Sequence, residues 1–281
     1  MLDKLGRDCG ALKKKKLFLL DMDGTIYEGS RLFSGTLPLL QAVRQQGGRY
    51  LFLTNNSSSS VEVYVQRLRS MGIEATREDF FTSAQATALV LQQEYPGQKV
   101  YCMGTDSLKE ELRLGGIALA ETPDEDVTVA LAGFDRQLHY QKLLDMCTLL
   151  RRQEVAYLAT NPDWVCPVEG GNFIPDCGAM CQMLEHAIHR RPRVIGKPEP
   201  LMVEYAMQMT GIGPEETLMI GDRLYTDIAA GNRAGVDSLC VLSGEANMED
   251  VRNSPDKPTY LLEDVGVLAS ILREELTNPV G

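Results

Sequence analysis

Short apolar segments of strand length recur along the whole chain, at residues 16–20, 49–53, 99–103, 127–132, 155–159, 193–195, 217–220 and 238–242, with helical patterns between them. In segments such as 61–71 and 140–152 the apolar residues return every three or four positions, the period of a helix with one buried face. Strands alternating with helices predict parallel sheets wrapped by helices. Parallel strands are covered on both faces, which is why these segments are continuously apolar instead of alternating. The expected fold class is α/β, a Rossmann-like parallel-sheet core with helices on both faces.

Four of these strands run into polar residues that a strand end does not itself require: Asp21 and Asp23, Thr54 with Asn55 and Asn56, Lys197 in "IGKPEP", and Asp222 with Asp227 in "MIGDRLYTD". Open α/β sheets bind ligands outside the carboxyl ends of their strands, so these four ends are expected to form one site. Strands between 99 and 159 lack such residues and fall between the second and third of those ends. The expected division is therefore a core of 1–83 and 191–281, interrupted by an inserted α/β domain, 84–190, that caps the site. At 281 residues the chain is long enough for two such units.

Asp21 and Asp23 stand at i and i+2 and project to the same side if the strand geometry persists. Two like charges at contact distance repel by roughly 4 kcal/mol at an effective dielectric of 20, and Asp222 and Asp227 add to the cluster. A divalent cation explains such a grouping, and all-oxygen ligation favours Mg²⁺. Thr54 offers a hydroxyl, Lys197 a compact positive charge, and the amides after Thr54 can face an anion. Carboxylates, Mg²⁺, lysine and hydroxyl together describe a phosphoryl-transfer site.

The motifs "DMDGT", "LTNN", "GKP" and "GDRLYTD", in this order and spacing, resemble the four motifs of the haloacid dehalogenase-like superfamily. The long insertion, with "TNPD" and "GAMC" near its end, resembles the subfamily of nitrophenylphosphatases, phosphoglycolate phosphatases and pyridoxal phosphatases. The resemblance spans 16 to about 245. It implies a Mg²⁺-dependent phosphatase acting on a small phosphomonoester, with Asp21 as nucleophile forming an aspartyl-phosphate and Asp23 as general acid and base. It further implies Mg²⁺ held by Asp21, the backbone carbonyl of Asp23 and Asp222, with Asp227 close by, phosphoryl oxygens bound by Thr54 and Asn55, and Lys197 paired with phosphate and nucleophile. The presence of Asp23 favours phosphate chemistry over dehalogenation. Asn161, Trp164 and Cys166, in "TNPDWVCPVEGGNFIPDCG" with its Gly-Gly turn, are the candidates for contact with the leaving group; the alternative for this stretch is an ordinary surface hairpin.

Other classes are disfavoured. A net charge of -11 and a pI near 4.9 argue against a general nucleic-acid footprint. The seven cysteines are scattered without a CxxC pair, which suits free thiols in a reducing compartment and gives no zinc cluster; Cys177 and Cys181 are expected to face each other in the core. His139, His186 and His189 have no evident partners. The lysine run 13–16 is expected to be a solvated leader, since the apolar stretch after it is too short for a signal peptide. With no membrane-length apolar stretch either, the expected location is cytoplasmic. Gly211-Ile-Gly213 precedes a strand and lacks a third glycine, so it reads as a loop. A phosphomutase, or a receiver module that keeps a phospho-aspartate, is the rival reading; a receiver is shorter and lacks the equivalent of Asp23. The expected partner is a small phosphorylated metabolite, with a homodimer through the cap suggested by the related enzymes.

Overall fold

The structure is a computed structural model that describes residues 1–168 and 172–274. The chain divides into two compact units, one made of Met1–Leu53, Arg67–Phe81 and Lys197–Gly281, the other of Thr54–Gln66 and Thr82–Gly196. Elements are numbered along the whole chain.

The first unit is built on β1 (Leu17–Leu20), β4 (Arg49–Thr54), β5 (Phe80–Thr82), β13 (Thr217–Gly221), β14 (Asp237–Val241) and β15 (Tyr260–Leu262). They form a six-stranded sheet in the order β15-β14-β13-β1-β4-β5. β1 pairs in parallel with β13 on one side and β4 on the other, Leu20 opposite Ile220 and Phe52. All four residues of β1 are buried, as its solid apolar run requires. A small hairpin, β2 (Tyr27–Glu28) with β3 (Arg31–Leu32), follows β1 directly. Around the sheet lie α1 (Thr36–Gln45), α7 (Leu201–Thr210), α8 (Ala229–Arg233), α9 (Met248–Asn253) and α10 (Val265–Arg273), with α1 packed against α10. Lys15 departs from the expectation of a solvated leader: it is buried, its Nζ 2.6 Å from Asp237 and 2.6 Å from the carbonyl of Glu215. The lysine is drawn inward because it ties the entry of β1 to the residues flanking β13 and β14.

The second unit has its own parallel sheet, β6 (Lys99–Met103), β7 (Leu119–Ala120), β8 (Val127–Ala132), β9 (Ala156–Ala159) and β12 (Arg193–Val194), in the order β12-β9-β8-β6-β7. Its helices are α3 (Ser83–Glu94), α4 (Asp106–Leu114), α5 (Tyr140–Leu150) and α6 (Cys177–Ile188). Thr82 starts α3 with a reciprocal cap, its hydroxyl accepting from Gln85 N–H while the Gln85 side chain accepts from Thr82 N–H. Cys177 and Cys181 do face each other, Sγ to Sγ 3.9 Å, inside the apolar core between α6 and the sheet. Among the described residues all seven cysteines are free.

Two boundaries differ from the sequence expectation. The strand leading to Lys197 is not in the core sheet: Arg193 and Val194 pair with Leu158 and Ala159 of β9, so the second unit runs on to Gly196. Residues Thr54–Gln66 also belong to the second unit, and α2 (Val61–Ser70) spans the division. A continuous helix hides this in the sequence, since neither its period nor its composition changes at residue 66.

Candidate active site

The central sheet changes direction at β1. The chain moves outward from β1 to β4 and β5, then returns to the other side for β13, β14 and β15. Such a switch point leaves a crevice at the carboxyl ends of the two strands that flank it. Asp21 and Asp222 are the first residues beyond those ends, and Asp21 N–H donates to the Ile220 carbonyl at 2.8 Å. Asp227 lies in a single π turn, Leu224–Ile228, a widened turn of the kind frequent at functional sites. One carboxylate oxygen from each of Asp21, Asp222 and Asp227 lies within 4.8 Å of the others.

Lys197 Nζ enters this cluster at 2.5 Å from Asp21 Oδ1 and 2.7 Å from Asp227 Oδ1, with the Leu53 carbonyl at 3.3 Å. Burial works against the ammonium, but the two carboxylates outweigh it and raise the lysine pKa. Asp21 is itself pushed well above the usual carboxylate range, first by burial and then by the Asp227 charge. Burial and Asp227 likewise push Asp222 up to about 6, although Glu245 N–H donates to its Oδ2 at 2.8 Å.

Two glycines make the close approach possible. Gly24 has φ of 80°, and a Cβ there would stand 2.4 Å from Asp222 Oδ2. At Gly221 a Cβ would stand 2.3 Å from the Asp227 side chain.

Three carboxylates and one ammonium leave a deficit of positive charge in a largely buried site. Burial first, and the neighbouring carboxylate charge second, raise the pKa values of Asp21 and Asp222, and a hard divalent cation held by oxygen ligands fits the donor set. The residues present therefore suit Mg²⁺.

Asp23 stands apart from that cluster. Its side chain is half exposed, with Tyr27 Oη donating to Oδ2 at 3.1 Å and Arg67 Nη2 3.8 Å from Oδ1. Burial by the adjoining chain raises its pKa against the opposing charge of Arg67.

The remaining expected residues fall in the second unit. Thr54 closes β4, and its hydroxyl accepts from Asn56 N–H at 3.1 Å. Asn55 is buried and its Nδ2 donates to Asp163 Oδ2 at 2.7 Å. Asn56 folds its side chain back to accept from the Ser58 amide and hydroxyl. Asn161, expected to meet a leaving group, is instead fully buried: Nδ2 donates to Asp163 and Asp176, and Oδ1 accepts from the Thr160 hydroxyl. Such an amide holds its loop together. Trp164 is exposed, and Cys166 belongs to a surface hairpin, β10 (Val165–Val168) with β11 (Asn172–Pro175). The expected turn residues Gly170 and Gly171 lie outside the described residues.

Sequence reasoning missed Tyr27, Arg67, Asp163 and Asp176. Asp163 was visible inside "TNPD", but Arg67 reaches Asp23 across 44 residues and leaves no local signal.

A doubly wound sheet whose central strand delivers an aspartate to a lysine and two further carboxylates is the layout of a Rossmann-like α/β enzyme with an acidic site at the switch point. Family models described as haloacid dehalogenase-like hydrolase and HAD-hydrolase-like match residues 18–118 and 194–268. The acid sugar phosphatase of Staphylococcus aureus (strain MRSA252) is 35% identical over 254 residues, covering 90% of this chain and 96% of that protein. A 4-nitrophenylphosphatase from Thermotoga maritima is similar in structure, with TM-score 0.87 and 36% identity over 92% of this chain and 98% of that one. The glycerol phosphate phosphatase of Mycobacterium tuberculosis in complex with magnesium gives TM-score 0.83 and 32% identity, covering 91% of this chain and 77% of that one. This chain belongs to the haloacid dehalogenase-like hydrolases, in the branch of the nitrophenylphosphatase-like enzymes.

Proposed function

We propose that the protein is a Mg²⁺-dependent phosphatase of small phosphomonoesters that works through an aspartyl-phosphate on Asp21. The observation that carries the reading is the contact of Lys197 with both Asp21 and Asp227 at the switch point of the sheet. A lysine so placed holds the nucleophile's carboxylate in one rotamer and offers charge to an incoming phosphoryl group. The cation would be held by Asp21, the Asp23 carbonyl and Asp222, with Asp227 beside it. When bound, it supplies positive charge that offsets the phosphoryl oxygens and the carboxylates.

In this reading the remaining steps belong to the chain's own groups. Asp21 attacks phosphorus while Lys197 neutralises charge, and Asp23 gives a proton to the departing oxygen. Asp23 then takes a proton from the water that hydrolyses the aspartyl-phosphate. Thr54 and Asn55 are the ligands of the phosphoryl oxygens that the resemblance assigns. The second unit acts as the cap that selects the leaving group, with the exposed Trp164 hairpin as its candidate contact. Names of the relatives favour sugar phosphates and glycerol phosphate as first substrates to try.

Phosphate release from a panel of phosphomonoesters, with and without Mg²⁺ and beside Asp21→Asn, tests this. Mg²⁺-dependent release that the variant abolishes is expected. No release from any member by a folded, Mg²⁺-supplied protein would overturn the reading and favour a long-lived phospho-aspartate, whose lifetime would then be measured.

A further inference from the structure

Asp23 has to present one carboxyl oxygen to a leaving group, yet its side chain is half exposed. A short exposed aspartate samples several rotamers, and a general acid that samples several positions delivers its proton inefficiently. What restrains it is therefore a question with catalytic content.

The chain answers first locally. Residues 22–27 form a tight turn in which Ile26 N–H donates to the Met22 carbonyl at 2.9 Å and Gly24 N–H to the Tyr27 carbonyl at 2.8 Å. The turn folds Tyr27 back over Asp23. Its ring is fully buried, and its hydroxyl donates to Asp23 Oδ2. A phenol has one proton to donate, so this contact engages one oxygen only. Among the described residues, Oδ1 takes no hydrogen bond.

The second restraint is distant in sequence. Arg67, in the part of α2 that belongs to the first unit, lays its guanidinium over the Tyr27 ring with Cζ 4.5 Å from the centroid. Its Nη2 donates to the Gly29 carbonyl at 2.8 Å, at the tip of the β2–β3 hairpin, and stands 3.8 Å from Asp23 Oδ1. That separation is too long for a hydrogen bond and short enough for attraction. One arginine thus clamps the tyrosine, the hairpin that carries it and the charge of the aspartate.

We propose that Tyr27 and Arg67 are positioning residues for Asp23: the phenol fixes Oδ2, the guanidinium fixes the phenol, and Oδ1 is left as the atom that transfers the proton. The proposal rests on the phosphatase reading. As an Asp21 oxygen bonds to phosphorus, the bond from phosphorus to the leaving oxygen breaks and that oxygen takes the proton from Asp23 Oδ1. Water then returns a proton to Oδ1 as its oxygen attacks phosphorus, and the bond to Asp21 breaks to release phosphate.

The test compares two leaving groups in purified full-length protein with Mg²⁺. Glycerol phosphate expels an alkoxide that must be protonated, whereas p-nitrophenyl phosphate expels a stabilised phenolate that needs little help. Tyr27→Phe is expected to raise the ratio of kcat/KM for p-nitrophenyl phosphate over glycerol phosphate about tenfold, well within the contribution of general acid catalysis. Arg67→Met is expected to raise it about threefold, and Arg67→Lys, which restores the charge without the stacked fork, to recover part of the loss. Asp23→Asn should raise the ratio furthest, with Tyr27→Phe adding nothing in that background.

Equal losses on both substrates would show that the tyrosine and arginine only support the fold, and would overturn the proposal, as would an unchanged ratio. A further rise of the ratio from Tyr27→Phe on top of Asp23→Asn would overturn it too. Wild-type protein that hydrolyses neither substrate would overturn the phosphatase reading and the proposal together, whereas an active wild type with an unchanged ratio overturns the positioning role alone.

Discussion

Asp21, Asp222 and Asp227 place three carboxylates against one ammonium, and the raised pKa values of Asp21 and Asp222 express how poorly the buried site tolerates that charge without a cation. Function and stability are therefore opposed at Asp21. Asp21→Asn removes the proposed nucleophile and is expected to lower phosphate release by at least about 10³-fold, read in a release assay. The same change removes a charge that burial and Asp227 disfavour, so the metal-free variant should melt a few degrees above metal-free wild type in a thermal scan. The carboxylates and the lysine were legible in the sequence because each ends a strand or follows one directly. Asn161 was not: in "TNPD" it reads as a ligand residue, and only its burial between Asp163, Asp176 and Thr160 shows that its amide is already satisfied.

The elements matter through how closely they let these residues approach. β13 ends at Gly221 because the π turn that follows brings Asp227 back against it. Gly221→Ala should therefore cost about 1–3 kcal/mol in urea unfolding, as overpacking does, and should reduce phosphate release by displacing Asp227 from Lys197. At α3 the demand is local. Thr82→Ala removes the hydroxyl that accepts from Gln85 N–H and should cost about 1 kcal/mol in the same measurement. The long parallel strands were readable from their solid apolar runs. Short elements such as β2, β3, β5 and β7, of two or three residues, carry too few positions for any period to register.

For the molecule as a whole, the coupling between acid cluster and stability sets a pH dependence. Asp222 has a pKa of about 6 when folded, above the roughly 3.9 of an unfolded aspartate. The folded state thus holds its proton more tightly, and metal-free stability declines as pH rises from about 4 through 6, by about 3 kcal/mol from this group. In the proposed function Mg²⁺ would bind the ionised carboxylates and should reverse the decline. At saturating Mg²⁺ the melting temperature is expected to rise by about 5 °C at pH 7.5 and by much less at pH 5; equal shifts at both pH values would contradict it. No helix among the described residues is long and apolar enough to cross a membrane. The sequence by itself determined the α/β class, the parallel order of strand and helix, and the identity of the residues at the strand ends, because strand burial and chain reversal are local demands that leave a local pattern. Only the tertiary structure decided that the strand before Lys197 pairs with β9 and that Thr54–Gln66 travels with the second unit. It alone revealed that Arg67 clamps Tyr27 beside Asp23. Those outcomes depend on which surfaces meet across tens of residues, and contacts of that range leave no periodicity in the chain that makes them.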